Sequence, residues 1–373
     1  MKTFFKIFLI IFVLDFLITS TILKKLKFWD NEISKNQYWR IESSIYHHDL
    51  LPNIDIIESW GFNLKKRLIT NSIGFRDFSN KIIEKDTEKK RILLIGDSFI
   101  EGAGYDYEYT IGGLLQNHLG EDYEILNSAV SSYSPSIYYK KVNHFLSKGF
   151  KFDYALVFLD VSDIFDELFI KIDDDDNIIS PSKKEDINKL KKSFYQFGTF
   201  LKTNTITFKF FYLVSDQTEV YKNYLKLKYK ASKLMKKSFF KTNNEDVMFY
   251  RMTHIDRGYW TFDDEKYNHV KKGLKQSEKY LKKLFTLFEE NSIESYLIIY
   301  PWPTQINFGD EKHSKYWSKF ARNNNIKFFS LYNTFLAEKN NKRKLILDNF
   351  IFGDIHWNKK GNKKVFNELL KLF

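Results

Sequence analysis

Ile92-Leu93-Leu94-Ile95-Gly96-Asp97-Ser98-Phe99-Ile100-Glu101-Gly102 is an apolar run of strand length that stops abruptly at a Gly-Asp-Ser turn. A second glycine-rich turn, Gly102-Ala103-Gly104, follows it. A buried strand ending in a small polar turn is how open α/β sheets present ligand-binding groups at the carboxyl ends of their strands. Glycine on either side of Ser98 lets the backbone turn and leaves space beside the hydroxyl. Serine alone is a weak nucleophile and needs a base and a group that orients the base. The candidate for both lies at the far end of the chain, in Gly353-Asp354-Ile355-His356-Trp357-Asn358.

Outward from that stretch, strand and helix patterns alternate. Thr110 to Leu119 carries Ile111, Leu114, Leu115 and Leu119 on one helical face, and Glu124-Ile125-Leu126-Asn127 reads as a strand. Ser134-Pro135 reads as the N-cap and first residue of a helix that buries Tyr138, Val142, Phe145 and Leu146 and stops at Gly149. Tyr154 to Leu159 is uninterruptedly apolar, as a central parallel strand requires. Glu265 to Asn291 is a long amphipathic helix, Tyr296 to Tyr300 and Ile326 to Phe329 are further strands, and Lys359 to Leu372 is a closing helix. The pattern predicts an α/β fold: a parallel, flavodoxin-like sheet with helices on both faces. Ser98 and His356 are 258 positions apart (356 minus 98), and such a sheet brings both to its carboxyl edge.

The serine block and the Asp-His block resemble those of the SGNH/GDSL hydrolases. The resemblance implies Ser98 as nucleophile, His356 as general base and Asp354 as the carboxylate that orients the imidazole. It also implies an oxyanion hole. One donor is the Ser98 N–H; a second is the N–H of Ser132, which with Ala129 stands where the family pattern has glycines. The third corresponds to Ser162, where the family has an asparagine, while Asp160 replaces a glycine. A serine hydroxyl reaches less far than an amide. A carboxylate at Asp160 opposes an oxyanion unless it points away or is bound by another group. The family's usual Asp-x-x-His spacing is here Asp-x-His, as in some SGNH-like O-acetyltransferases. Tyr46 to Asn53 and Thr70 to Asp77 look like segments that precede the serine block in membrane-anchored SGNH-type proteins. Within them, the adjacent His47 and His48 face opposite ways on a strand and read as structural, and Arg76 can place a cation near the site or pair with an acid such as Asp77.

Residues 4 to 23 are nearly long enough to cross a bilayer. Asp15 interrupts them at a cost of about 2.5–3.5 kcal/mol, which the remaining apolar residues can absorb. The run has no small-residue cleavage site after it and reads as a retained signal-anchor. Residues 1–28 are therefore expected to be a single-pass membrane segment, 29–90 a loop-rich linker and 91–373 the hydrolase-like domain, with a lysine-rich helical insertion near 180–250. The resemblance puts that domain on the extracytoplasmic side of the cell membrane; the flanking lysines do not decide the orientation.

The chain has 373 residues, no cysteine and a net charge of +12, the excess being lysine in runs shared with Asn and Ile. No nucleic-acid recognition motif accompanies that charge, so no nucleic-acid partner is expected. Disulfides, thiolate catalysis and Cys-ligated zinc are excluded. There is no P-loop, dinucleotide fingerprint or HExxH, and no cofactor or metal is expected. Asp173 to Asn177 lacks the spacing of a calcium loop and reads as a solvated turn. The resemblance implies a serine esterase acting on acyl, chiefly acetyl, esters of a cell-envelope carbohydrate. An O-acyltransferase and a non-catalytic SGNH-like binding protein stay open. Aromatic rings stack on sugars, which makes Trp357, next to His356, a candidate substrate-binding residue, with Trp260 and Trp302 near it.

Overall fold

In a computed structural model the apolar run becomes strand β5, Lys90–Ile95, whose residues from Arg91 onward are all buried. The structure describes residues 6, 12–19, 39–60, 64–179, 205, 244–336 and 341–373. The chain divides into two units: Met1–Tyr38 with Ser182–Asn243, and Trp39–Pro181 with Asn244–Phe373. Most of the first unit, including most of the proposed membrane run and of the lysine-rich insertion, lies outside the described residues. No helix among the described residues is long and apolar enough to cross a membrane. Of the 4–23 run, residues 12–18 are helical, and the Thr19 hydroxyl donates to the Asp15 carboxylate at 3.1 Å, which gives that charge an internal partner.

The second unit is built on a five-stranded sheet with the order β6-β5-β7-β8-β9. Its strands are Tyr123–Asn127 (β6), β5, Tyr154–Leu159 (β7), Glu294–Ile299 (β8) and Lys327–Ser330 (β9), all parallel to their neighbours. Helices Pro135–Ser147 and Asp264–Glu290 pack together on one face, while Ile111–Leu119 and Lys359–Leu369 pack together on the other. The long helix turns Val270, Leu274, Leu281, Leu284 and Phe288 to the core, the apolar stripe its sequence carries. Because the chain leaves β5 for one side and returns to the other, the carboxyl ends of β5 and β7 form the topological switch point. Ser98 follows β5 there, and Asp160 follows β7.

Where a loop-rich linker is expected over 29–90, the described residues 39–60 and 64–69 carry two hairpins. Arg40–Ser43 (β1) pairs with His47–Leu50 (β2), and Asp55–Trp60 (β3) pairs with Leu64–Ile69 (β4), both antiparallel. Apolar alternation is masked because charged residues point inward. Glu58 and Lys66 are cross-strand partners, each at most 2% exposed, with 3.3 Å between their charges. Arg40 bridges Glu58 at 3.1 Å and Glu101 at 2.7 Å. Asp49 is tied to Lys141 at 2.7 Å. These pairs bind the hairpins to the loops at the carboxyl edge of the sheet, which makes this segment a wall of the site.

The acidic run behaves as a turn. Asp173 and Asn177 close it, and Asp176 is ringed by Lys140, Lys279 and Lys283.

Candidate active site

Ser98 opens a four-residue helix, Ser98–Glu101, whose N-cap is Asp97: the Asp97 side chain accepts from the Phe99 N–H at 3.0 Å. The helix ends at Gly102, with φ of 88°, where a Cβ would meet the Arg76 guanidinium at 2.5 Å. Only glycine suits that position. Arg76 is fully buried, does not ion-pair with Asp77, and donates instead to the carbonyls of Glu101, Gly102 and Tyr105. These are carbonyls that a short helix end and the turn after it leave unpaired. Arg76 therefore braces the serine helix from below.

The Ser98 hydroxyl lies 2.8 Å from His356 Nε2 and 3.3 Å from Asp97, and its one proton serves the shorter contact. His356 Nδ1 is 2.5 Å from Asp354 Oδ1. A carboxylate only accepts, so Nδ1 carries the proton and the neutral ring offers Nε2 to the serine as an acceptor. The short Asp-x-His spacing is met by a tight bend. Gly353 has φ of 78°, and the Asp354 carboxylate also accepts from the His356 backbone N–H at 3.0 Å. Asn358, not His356, caps the final helix, accepting from the N–H groups of Lys360 and Gly361.

Burial works against the His356 imidazolium, but the Asp354 carboxylate, with Asp97 and Asp160 behind it, outweighs burial and raises the histidine above its ordinary value. Burial also opposes the Asp354 charge, yet the imidazole beside it holds this carboxyl well below the usual range. Trp60, at the end of β3, donates its indole N–H to Asp354 Oδ2 at 3.3 Å and sets its ring edge-on to His356, with centroids 5.0 Å apart. Sequence reasoning missed Trp60, since only the hairpin carries it to the Asp-His loop.

Behind Ser98 lies a cluster of buried acids. Carboxylate oxygens of Asp97, Asp160 and Asp163 come within 4.8 Å of one another. Burial, then the Asp160 charge, pushes Asp97 up to about 7, and burial raises Asp160 and Asp163 as well. Asp160 is bound, as an acid in that position must be: it accepts from the Trp302 indole at 2.6 Å and from the Ser162 N–H at 2.5 Å. Tyr138 donates to Asp163 at 2.7 Å. Burial raises these carboxyls, and the donors they receive oppose that rise by favouring the charged form.

The same contacts correct the expectation for Ser162. The residue is 2% exposed and its backbone N–H is given to Asp160, whose carboxylate also draws its side chain, which leaves an oxyanion role for the hydroxyl without support. Ser132 has φ of 66°, the left-handed conformation for which the family pattern uses glycine, and among the described residues nothing accepts from its N–H.

The tryptophans require a second correction. Trp357 is 2% exposed and packs against Phe99, Tyr300 and Phe335, forming a rear wall where no sugar can stack. Trp260 and Trp302 are as deeply buried, their indoles bonded to the Val161 carbonyl and to Asp160. A hollow lined by Lys282, Phe285, Glu294, Asn325 and Lys327 lies at the amino-terminal edge of β8 and β9, the opposite end of the sheet from Ser98.

No family model matches the chain, and no curated protein matches it. Solved structures do. One is TesA, with 12% identity and a TM-score of 0.38 over 76% of this chain and 97% of that one. A lipolytic protein of the G-D-S-L family from Veillonella parvula has 12% identity and a TM-score of 0.37, covering 76% of this chain and 98% of its own. A catalytic mutant of Axe2, an acetylxylan esterase from Geobacillus stearothermophilus, has 12% identity and a TM-score of 0.37, covering 77% and 95%. The chain is similar to GDSL-type esterases. At these scores the likeness adds no weight to any role, and roles rest on the side chains described above.

Proposed function

We propose that the chain is a serine esterase of the SGNH/GDSL type that works through an acyl-Ser98 intermediate. The observation that carries this reading is the continuous hydrogen-bonded series Ser98–His356–Asp354. In the first half-reaction the Ser98 hydroxyl oxygen attacks the ester carbonyl while His356 Nε2 takes its proton. The charge on the carbonyl oxygen falls to the N–H groups of Ser98 and Ser132. The imidazolium, stabilised by Asp354, then protonates the departing alkoxide. In the second half, water attacks the acyl carbon with His356 as base, releasing the carboxylic acid and restoring Ser98.

The proposed substrate is an acyl ester of a cell-envelope carbohydrate, with acetate the acyl group. Aromatic surface beside the base comes from partly exposed Trp60 and not from Trp357. Anchoring through residues 4–23, with this unit outside the cell, belongs to the same proposal.

A fluorophosphonate should label the wild type at Ser98 and spare Ser98→Ala, and the wild type should release acetate from an acetylated glycan. Equal labelling of both proteins would remove the triad.

A further inference from the structure

The oxyanion donor proposed at Ser132 has no glycine to shape its loop, so other groups must hold its peptide. The peptide that carries the Ser132 N–H also carries the Ser131 carbonyl, and a trans peptide points the two in opposite directions. Whatever grips that carbonyl therefore aims that N–H. His48 Nε2 lies 2.8 Å from the Ser131 oxygen. The preceding N–H, on Ser131, donates to Glu101 Oε2 at 2.7 Å, at the end of the serine helix. The loop is thus fastened to the helix of the nucleophile on one side and to hairpin β1–β2 on the other.

We propose that His48 is a positioning residue for the oxyanion hole, holding the Ser131–Ser132 peptide so that the Ser132 N–H faces the reacting carbonyl oxygen. This rests on the esterase reading above. The carbonyl can only accept, so His48 Nε2 carries a proton. His47 Nδ1 lies 2.7 Å from His48 Nδ1, and a neutral His48 accepts there. Burial keeps His48 neutral, lowering it to about 4, with His47 and Lys141 acting in the same direction and the Ser131 carbonyl and Asp49 against it. The ring itself is fixed edge-on to Tyr133, with centroids 4.9 Å apart, and the Tyr133 hydroxyl donates to the His48 carbonyl at 2.7 Å. A donor on the carbonyl also polarises the peptide and strengthens its N–H toward an anion. Thus the adjacent histidines have unlike tasks: one ring grips the loop, and the other fixes the tautomer of the first.

Two variants of the full chain test this. His48→Phe keeps a ring and removes the donor; in His48→Gln the amide nitrogen reaches about as far as Nε2. With p-nitrophenyl acetate, His48→Phe should lower kcat about 10- to 100-fold, short of the loss of a whole oxyanion donor, with KM nearly unchanged. His48→Gln should return kcat to within a few-fold of wild type. A second readout needs no turnover. Carbonyl-13C and amide-15N labelling of serine selects Ser-Ser peptides, of which the sequence has two, 43–44 and 131–132. The Ser132 amide resonance should move in His48→Phe and return in His48→Gln. Equal loss of kcat in both variants, tracking a fall in thermal stability, would make His48 merely structural, and kcat within twofold of wild type in His48→Phe would overturn the proposal. If Ser98 does not react with fluorophosphonate, the esterase reading fails, and an unmoved Ser132 resonance would still separately refute the grip on the peptide.

Discussion

At the scale of single residues, the balance of charge around His356 sets the pH behaviour. The imidazole must be neutral to accept the Ser98 proton, and its environment raises it above the ordinary 6.5. The acid limb of kcat/KM should accordingly have its midpoint above pH 6.5. Asp97 contributes to that shift, so Asp97→Asn should move the limb toward lower pH; an unmoved limb would mean that Asp97 stays protonated throughout catalysis. The same residue affects stability with the opposite sign from a paired carboxylate. Its folded value, about 7, lies above the ordinary 3.8, so the folded state favours its protonated form. That contribution is fully present below pH 3.8 and is lost as pH rises through about 7. The melting temperature of Asp97→Asn relative to wild type should therefore climb between pH 4 and pH 8, as scanning calorimetry can measure. Asparagine retains an oxygen for the Phe99 N–H, so the cap survives the change.

At the scale of elements, the two hairpins are held by charge where most hairpins are held by apolar faces. Lys66 is fully buried between Glu58 and Glu101, and Arg40 reaches the same two acids. Removing one member leaves the buried cluster with one charge in excess, a loss on the order of the 3–5 kcal/mol of a broken buried pair, whereas removing two opposite members together costs far less than the sum. Lys66→Met should destabilise the protein by about 3 kcal/mol or more. Adding Glu58→Gln should recover at least about 1 kcal/mol of that loss in a double-mutant cycle followed by urea unfolding. Additive losses would show that the cross-strand pair is not coupled. Because Glu101 holds the Ser131 N–H as well, damage to this cluster should reach kcat through the oxyanion loop and not only through stability.

At the scale of the whole molecule, the groups proposed to be catalytic come from segments that only the sheet brings together. β5 leads to Ser98, β6 leads to Ser132, and the loop before the last helix carries Asp354 and His356. The hairpins close this edge from outside, contributing Trp60 and His48. The proposed anchor is tested at this scale too. In a membrane fraction, alkaline carbonate should leave the full chain in the pellet, and deletion of residues 1–28 should release it to the supernatant. Release of the full chain by carbonate would eliminate a spanning segment.

Much of the parallel sheet was legible in the residues themselves. Tyr154–Leu159 and residues 92–95 of β5 are apolar on both faces because both faces are covered, and the long helix shows its stripe because one side meets solvent. Residue type and order also marked Ser98, Asp354 and His356, since few side chains can serve as nucleophile, base and orienting acid. The hairpins were not legible. Their inward positions carry Glu58, Lys66 and Arg40, whose partners include Glu101, 61 positions from Arg40, and periodicity registers apolar faces only. The fates of Trp357, Ser162 and His48 were likewise decided by tertiary structure. An indole beside the base can face solvent or core, a hydroxyl can turn to an oxyanion or to Asp160, and an imidazole can grip a carbonyl or lie idle. Each choice depends on what packs against the group from distant parts of the chain, which local sequence does not encode.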